Sequence, residues 1–337
     1  MTWQNQLKGD SLTWLLETDS PNVRYLALRD LMDCPANDRE LISAREAAYT
    51  EGPIASILAE MHDQGYWIKP GPGYTQRYRS TIWSMIALSQ LGARADMDER
   101  IARACTYLLD HSLTEGGQFT MKGTPSSTID CLQGNLCAAL VDLGCEDSRL
   151  EAAFEWMARS VSGEGVAPAE DDQAALRYYL GKCGLLFACG YNGQHSCAWG
   201  AVKVMLAFSK LTAKQRTPLI ERAITTGVNF LLSVDPALAD YPSRKKAKPS
   251  PNWWKFGFPV FYVTDLLQNI ESLVKLGYGN DARLHNALDL ICDKQDGQGR
   301  WSLEYSYSGL SWGDFGMINQ PNKWVTLRAL RVLKQIA

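Results

Sequence analysis

Cysteine and histidine side chains are concentrated in one short stretch of the sequence. Cys183, Cys189, His195 and Cys197 fall within fifteen positions, although the whole chain has only four histidines. Thiolate sulfur and imidazole nitrogen are donors that zinc prefers, with four protein ligands in a structural site and three plus water in a catalytic one. The spacing therefore predicts either a zinc site or a reactive pair of cysteine and histidine.

An acidic residue and a further cysteine, Asp130 and Cys131, occupy a similar position at the start of an earlier predicted helix. His195 and Cys197 begin the later one, and the positive end of a helix dipole favours thiolate over thiol. We expect Asp130, Cys131, His195 and Cys197 to be catalytic. Zinc would be held by Cys131, His195 and Cys197, with Cys189 or Asp130 as the fourth ligand, and Asp130 would also move protons.

Two other interpretations of these side chains remain open. Cysteine and histidine could act without metal as the acid–base pair of a hydratase, lyase or isomerase. Free cysteines also pack as small hydrophobic residues, so the cluster could belong to a ligand-binding or scaffold protein without catalytic activity.

A helical-pair unit that recurs along the chain must position these residues. Each clear copy closes with a glycine followed two places later by an aromatic residue. The pairs are Gly65 and Trp67, Gly117 and Phe119, and Gly299 and Trp301. Repetition on this scale is typical of stacked or ringed units that bury one face against their neighbours.

Apolar residues recur at helical spacing through most of the chain, and no run alternates as a strand does. Three helices are predicted near the start, over 21–31, 38–49 and 53–62. The pairs that follow are 79–91 with 97–111, 128–143 with 147–161, 195–211 with 216–233, and 260–276 with 281–294, before a last helix over 322–335. The first helix of each pair is the more apolar and suits an inner ring, whereas the second has one charged face and suits an outer ring.

The segment Gln295-x-x-x-Gly299-x-Trp301 matches the QW repeat of squalene–hopene cyclases. The chain thus resembles the terpenoid-cyclase and protein-prenyltransferase superfamily. The resemblance implies an all-α fold, an α/α toroid of five to six helix pairs, over residues 21–337 after an N-terminal segment 1–20. It also implies a small apolar substrate, of isoprenoid type, in a central cavity.

The sequence departs from that superfamily in its acidic motifs. Neither DxDD nor DDxxD occurs, and the nearest acidic run, 170–173, is typical of a solvated loop. Prenyltransferases of the superfamily hold catalytic zinc with aspartate, cysteine and histidine. By resemblance, Asp130 or Cys131 would act with His195 and Cys197, although Asp130 and Cys131 are adjacent here where those enzymes separate the pair by one residue.

Aromatic residues near the predicted inner-helix starts indicate an apolar cavity that could stabilise positive charge through cation–π contacts. Arg77, Arg79 and the basic, proline-rich segment 240–251 would add charge at its mouth. The residues expected to line the cavity are Trp83, Trp199, Trp254, Tyr262, Asp265, Tyr305 and Trp312.

Composition narrows the choice of partners and location. The 337 residues carry a net charge of −3, which favours neither nucleic acid nor an anionic membrane surface as partner. No uninterrupted apolar run is long enough to span a bilayer, and the first residues lack a signal-peptide pattern. Nine irregularly spaced cysteines favour a reducing compartment. We expect a cytoplasmic enzyme that performs zinc-assisted lyase, cyclase or hydrolase-type chemistry on an apolar organic substrate.

Overall fold

The computed structural model describes residues 3–164, 183–244 and 250–336, and most of them are helical. The acidic run 170–173 and the lysines of the basic segment, within 245–249, lie outside the described residues. The α-helices are α1 Ser11–Leu15, α2 Pro21–Asp30, α3 Arg39–Thr50, α4 Pro53–Ala59, α5 Thr81–Gln90, α6 Glu99–Ser112, α7 Asp130–Asp142, α8 Arg149–Ser162, α9 Ala198–Phe208, α10 Pro218–Leu231, α11 Leu266–Leu273, α12 His285–Asp293 and α13 Lys323–Ile336. The strands β1 Cys183–Gly184 and β2 Ala188–Cys189 form an antiparallel pair. The prediction of a mainly α-helical protein is confirmed.

The helices fall into a buried set and an amphipathic set. In α5 every residue from Thr81 to Leu88 is buried, and in α7 every residue from Asp130 to Leu140. By contrast, α6 buries Ile101, Cys105 and Leu108 on one face and exposes charged residues on the other. Within the described residues, no helix has both the length and the apolar character needed to cross a membrane.

Contacts between the buried helices follow the order of the chain. Helix α5 packs against α7, α7 against α9, α9 against α11, and α11 against α13, which in turn contacts α2. Amphipathic helices contact buried ones, as α6 does with α5 and α8 with α7, and α8 also contacts α10. The N-terminal ends of the neighbouring buried helices α7 and α9 lie close together.

The glycine of each repeated turn has a positive φ, +95° at Gly65, +85° at Gly117 and +73° at Gly299. A Cβ on Gly65 would lie 2.9 Å from the carbonyl oxygen of Arg103 in α6, and one on Gly117 would lie 2.3 Å from that of Ala152 in α8. Both the backbone conformation and the close approach therefore require glycine.

The aromatic residue of each turn is fully buried, and its backbone N–H donates to a polar side chain on the buried helix that follows. These donor–acceptor pairs are Trp67 with Thr81 Oγ1 at 3.2 Å, Phe119 with Gln133 Oε1 at 2.7 Å, and Trp301 with Thr326 Oγ1 at 2.9 Å. The repeat found in the sequence thus corresponds to one hydrogen-bonding pattern used three times.

The last of these turns also binds the N-terminal segment. The Gln295 side-chain oxygen accepts from the Lys8 backbone N–H at 3.0 Å, and its amide nitrogen donates to the Gln6 carbonyl at 3.1 Å. A Cβ on Gly299 would lie 2.7 Å from the Gly9 carbonyl oxygen. Residues 3–15 therefore take the place beside this turn that an amphipathic helix takes beside the earlier ones.

One predicted helix begins later than expected. The sequence pattern placed its start near residue 260, whereas α11 begins at Leu266. Asp265 caps it, because its side-chain oxygen accepts from the Gln268 backbone N–H at 2.8 Å. The apolar residues before the cap are buried without being helical, so their periodicity alone was misleading.

The contact between α7 and α9 should be sensitive to one methyl group. A Cβ on Gly134 would lie 2.4 Å from the Lys203 carbonyl carbon, which is a backbone atom that cannot move aside. Gly134→Ala should therefore lower the free energy of unfolding by roughly 2–3 kcal/mol, despite the better helix propensity of alanine. Guanidinium unfolding followed by circular dichroism measures the loss.

The matched control for this substitution is Gly297→Ala, at an exposed glycine with nothing within 4 Å of the added Cβ. It should change stability by less than about 1 kcal/mol. Equal losses in the two variants would contradict the close packing of α7 on α9.

Candidate functional site

A cavity of about 430 Å³ lies at the N-terminal ends of α7 and α9. Helix α7 contributes Asp130 and Cys131, α9 contributes Trp199 and Gly200, and further walls come from the β2 region and from residues within 239–243 and 250–253. The aromatic residues that line it are Tyr74, Tyr191, Trp199, Tyr241, Trp253 and Tyr262. Its volume and mainly apolar lining suit a small organic ligand.

Asp130 is the only carboxylate among the described residues that line this cavity. It is 5% exposed, and its Oδ2 atom has no hydrogen-bond partner among the described residues. Burial raises the pKa of Asp130 to about 7, with a smaller contribution from the nearby Cys189. A carboxyl group that is largely protonated near neutral pH and faces an apolar cavity can act as a proton donor.

Gly200 leaves space for this carboxyl group. A Cβ on Gly200 would lie 3.1 Å from the Cβ of Asp130, which is closer than side chains normally approach. The small residue on α9 therefore lets the first turn of α7 place Asp130 between the two helices.

Three thiols meet beside Asp130. Cys131, Cys189 and Cys197 line the same cavity. Interaction with the Cys131 side chain contributes most to raising the pKa of Cys197 to about 12, and interaction with the Cys197 side chain raises the pKa of Cys189 well above its usual range. These two thiols are therefore protonated at neutral pH, which makes them poor nucleophiles.

Cys183 also belongs to the predicted cluster in sequence, but it lies in β1 and is buried. Its backbone pairs with Cys189 across the hairpin, and burial raises the pKa of its thiol. Cys183 does not line the cavity.

His195 lies apart from the thiols. It is exposed in the loop before α9 and is not among the residues that line the cavity. Its backbone is fixed by Cys189, whose N–H donates to the His195 carbonyl at 3.1 Å. The structure therefore brings Asp130, Cys131, Cys189 and Cys197 together and leaves the His195 side chain outside.

The donor set fits zinc only in part. Cysteine thiols are suitable ligands, and three of them with a carboxyl group would give four donors. Among the described residues, however, no group of three or more histidine, cysteine, aspartate or glutamate side chains has the arrangement of a metal site.

One edge of the cavity is formed by a chain of polar contacts. Arg77 donates from Nη2 to the Tyr74 hydroxyl at 2.7 Å, and the Tyr74 hydroxyl donates to that of Tyr262 at 2.9 Å. Arg77 is exposed, whereas Tyr74 is buried. Arg77 was expected at the mouth from the sequence, but Tyr74 was missed, although it follows a glycine- and proline-rich loop that leads into α5.

Of the predicted cavity residues, Trp199 and Tyr262 line the cavity and the other aromatic ones do not. Trp83 is fully buried behind the wall, where its ring N–H donates to the Tyr74 carbonyl at 3.0 Å. Trp254 donates to the Ala237 carbonyl at 2.7 Å, while its neighbour Trp253 faces the cavity.

Two further predicted residues follow α12 in the chain. Tyr305 packs edge-on against Tyr307. The ring N–H of Trp312 donates to the Arg79 carbonyl and to Ser84 Oγ, both at 3.0 Å. Trp312 thereby holds this segment against α5, and neither residue lines the cavity.

Asp265, which was also expected to line the cavity, instead stabilises the buried interior. It is buried in an ion pair with Arg328, with 2.8 Å from each carboxylate oxygen to a guanidinium nitrogen. Lys203 lies nearby, is fully buried and donates to Gln268 Oε1 at 2.6 Å. Burial lowers the pKa of Lys203 to about 7, but the residue lines neither cavity.

A second cavity of about 820 Å³, which the sequence did not indicate, lies at the C-terminal ends of the buried helices. Its walls are charged, and carboxylates bind its cations: Asp30 with Arg29 and Arg331, Asp33 with Lys334, Asp142 with Lys210, Glu271 with Lys275, and Asp265 with Arg328. Cations suit these helix ends because the dipole is negative there. In the sequence, the charged residues of this cavity look like those of ordinary solvent-exposed helix faces. Their meeting in one cavity was therefore not predictable.

Comparison with known proteins adds no family assignment. No protein-family model matches the chain, and no curated protein has a significantly similar sequence.

Burial of Asp130 should make folding stability depend on pH. The folded carboxyl titrates near 7 and the unfolded one near 3.8, so the folded state holds the extra proton and the free energy of unfolding falls as pH rises between these values. Asp130→Asn should therefore be more stable than the wild type above pH 7, by up to roughly 4 kcal/mol, and the difference should disappear near pH 4. Urea unfolding across this pH range measures it.

Asp142→Asn is the control, because it makes the same change at the other end of α7. Asp142 is partly exposed and pairs with Lys210 at 2.6 Å. Losing this pair should lower stability at pH 8 rather than raise it. A loss of stability in Asp130→Asn at pH 8 would contradict an unpartnered, buried Asp130.

Proposed function

We propose that this protein is an enzyme that transfers a proton from Asp130 to an apolar organic substrate held in the cavity at the start of α7 and α9. The reaction would be of the lyase, isomerase or cyclase type. The proposal rests on Asp130. This residue lines the aromatic cavity, one of its carboxyl oxygens is buried without a hydrogen-bond partner among the described residues, and burial raises its pKa to about 7.

Protonation of a carbon–carbon double bond by Asp130 forms a carbon–hydrogen bond and leaves a carbocation and an aspartate carboxylate. The faces of Trp199, Trp253 and Tyr262 are available in the same cavity to stabilise the positive charge. The carboxylate can then remove a proton from a neighbouring carbon, which restores Asp130 and gives an isomerised or cyclised alkene. The apolar lining limits capture of the cation by water.

The proposal extends to the architecture. We infer that α2, α5, α7, α9, α11 and α13 form the inner ring of an α/α toroid of five to six helix pairs, as the resemblance to terpenoid cyclases implied. Their successive contacts support this arrangement, as do the two cavities at opposite helix ends. Nine free cysteines support a cytoplasmic location.

Zinc-assisted chemistry is a second candidate, favoured by the meeting of three thiols. Cys131, Cys189 and Cys197, with Asp130, would hold the metal, and the exposed His195 would take no part. Bound zinc would supply Lewis acidity at the same end of the cavity.

The test of the proton-transfer proposal uses solvent deuterium. The enzyme is incubated in D₂O with a panel of isoprenoid alkenes and alcohols, and products are analysed by mass spectrometry. A new carbon–deuterium bond is expected in the product, and Asp130→Asn should slow its formation by about 10²-fold or more, since general acids contribute 10²–10⁴-fold.

Asp142→Asn is again the control, because Asp142 lines the second cavity rather than the first. It should keep the wild-type rate. Products without deuterium at carbon, or equal rates in Asp130→Asn and the wild type, would contradict the proposed role of Asp130.

The zinc candidate makes a separate prediction about metal content. It requires close to one zinc per chain by elemental analysis, lost in Cys197→Ser and kept in Cys292→Ser, since Cys292 lies in α12 away from the cavity. Bound zinc should also leave as the pH falls, because its ligands must be deprotonated. Full turnover after chelation would contradict this candidate and leave proton transfer from Asp130.

A further inference from the structure

Arg77 is the only arginine or lysine among the described residues that line the Asp130 cavity. No described carboxylate forms an ion pair with it. Its guanidinium carbon lies 4.8 Å from the centre of the Tyr74 ring and 5.4 Å from that of Tyr262. The positive charge is therefore held over the aromatic edge of the cavity by rings rather than neutralised by an acidic side chain.

The hydrogen bonds at this edge run in one direction. Arg77 donates to the Tyr74 hydroxyl, and the Tyr74 hydroxyl donates to that of Tyr262. A tyrosine hydroxyl can donate one hydrogen, and the described residues provide no acceptor for the Tyr262 hydrogen. This series of hydrogen bonds thus ends in a donor, the Tyr262 hydroxyl, and the neighbouring Arg77 guanidinium has further N–H groups that can donate.

We propose that the ligand of this cavity is an apolar molecule with a single carboxylate, which Arg77 and the Tyr262 hydroxyl bind at the mouth while the apolar body extends towards Asp130. The inference rests on the proposed function, since it names the substrate class of the same site. In this orientation the carboxylate of the ligand lies beside Arg77 and away from Asp130, whose carboxyl group must keep its proton.

The number of cations among the described lining residues favours a monoanion. A guanidinium binds one carboxylate through two parallel N–H donors. A diphosphate carries more charge and would need several cations, whereas the described lining of this cavity supplies one.

Binding of dodecanoate and methyl dodecanoate tests the proposal. Both probes have the same apolar body, and only the first has a carboxylate. Binding is measured by calorimetry and by the fluorescence of Trp199 and Trp253, which line the cavity.

The wild type should prefer dodecanoate. Arg77→Gln should weaken dodecanoate binding by at least about tenfold and leave the ester unchanged, and Tyr262→Phe should weaken dodecanoate by a smaller factor.

Arg79→Gln is the matched control. Arg79 is two residues away and also exposed, but it stacks on Trp312 and does not line the cavity. It should not change the binding of either probe, and unchanged ester binding shows that a variant is folded.

The outcomes separate this inference from the proposed function. If both probes bind and Arg77→Gln affects neither, the carboxylate assignment is wrong while an apolar site remains. If Arg79→Gln weakens dodecanoate as much as Arg77→Gln, general surface charge is responsible and the assignment is also wrong. Tighter binding of geranyl diphosphate than of dodecanoate overturns the monoanion, and failure of both dodecyl probes to bind overturns the apolar site together with the inference.

Discussion

The repeated turn between helical pairs is the constraint on which the remaining structure depends. In each copy a glycine with positive φ rests against a neighbouring stretch of backbone, and an aromatic residue two places later is buried and bound to the following buried helix. This joins one pair to the next at a fixed distance and angle. Residues at the starts of successive buried helices then meet, which is why Asp130 and Cys197 share one cavity.

Two effects compete at Asp130. Its place in the first turn of α7 favours the charged carboxylate through the helix dipole, an effect of about 0.3–1 kcal/mol. Burial acts in the opposite direction and raises the pKa from 3.8 to about 7, which corresponds to roughly 4 kcal/mol. Burial is the larger effect, so a helix start that would ordinarily hold an anion instead holds a carboxyl group ready to lose a proton.

Much of the fold could be predicted from the sequence because the helical periodicity is strong and glycine at positive φ leaves a recognisable mark. The turns at Gly65, Gly117 and Gly299 were found in this way, as was the convergence of Cys131 with Cys197. What failed was side-chain direction in irregular segments. His195 precedes a helix start, yet the hairpin that positions Cys189 fixes its backbone and leaves its ring exposed.

Burial of aromatic residues was also ambiguous in the sequence. Trp83 and Trp199 both lie near the starts of buried helices, but Trp83 lies behind Tyr74 and only Trp199 faces the cavity. Asp265 was expected at the mouth because it lies one helix further round the predicted ring, whereas its partner Arg328 lies 63 residues further along the chain. Long-range pairs of this kind leave no local pattern.

The contact between the N-terminal segment and the last turn has a consequence for the order of folding. The hydrogen bond from Lys8 to Gln295 spans 287 residues, and closing a flexible loop of that length costs on the order of 5 kcal/mol in chain entropy. Each helical pair can instead form from neighbouring residues and add to the one before it. The contact between Gly9 and Gly299 is therefore expected to form late in folding. By then the intervening helices have formed and have shortened the distance between the N-terminal segment and the last turn.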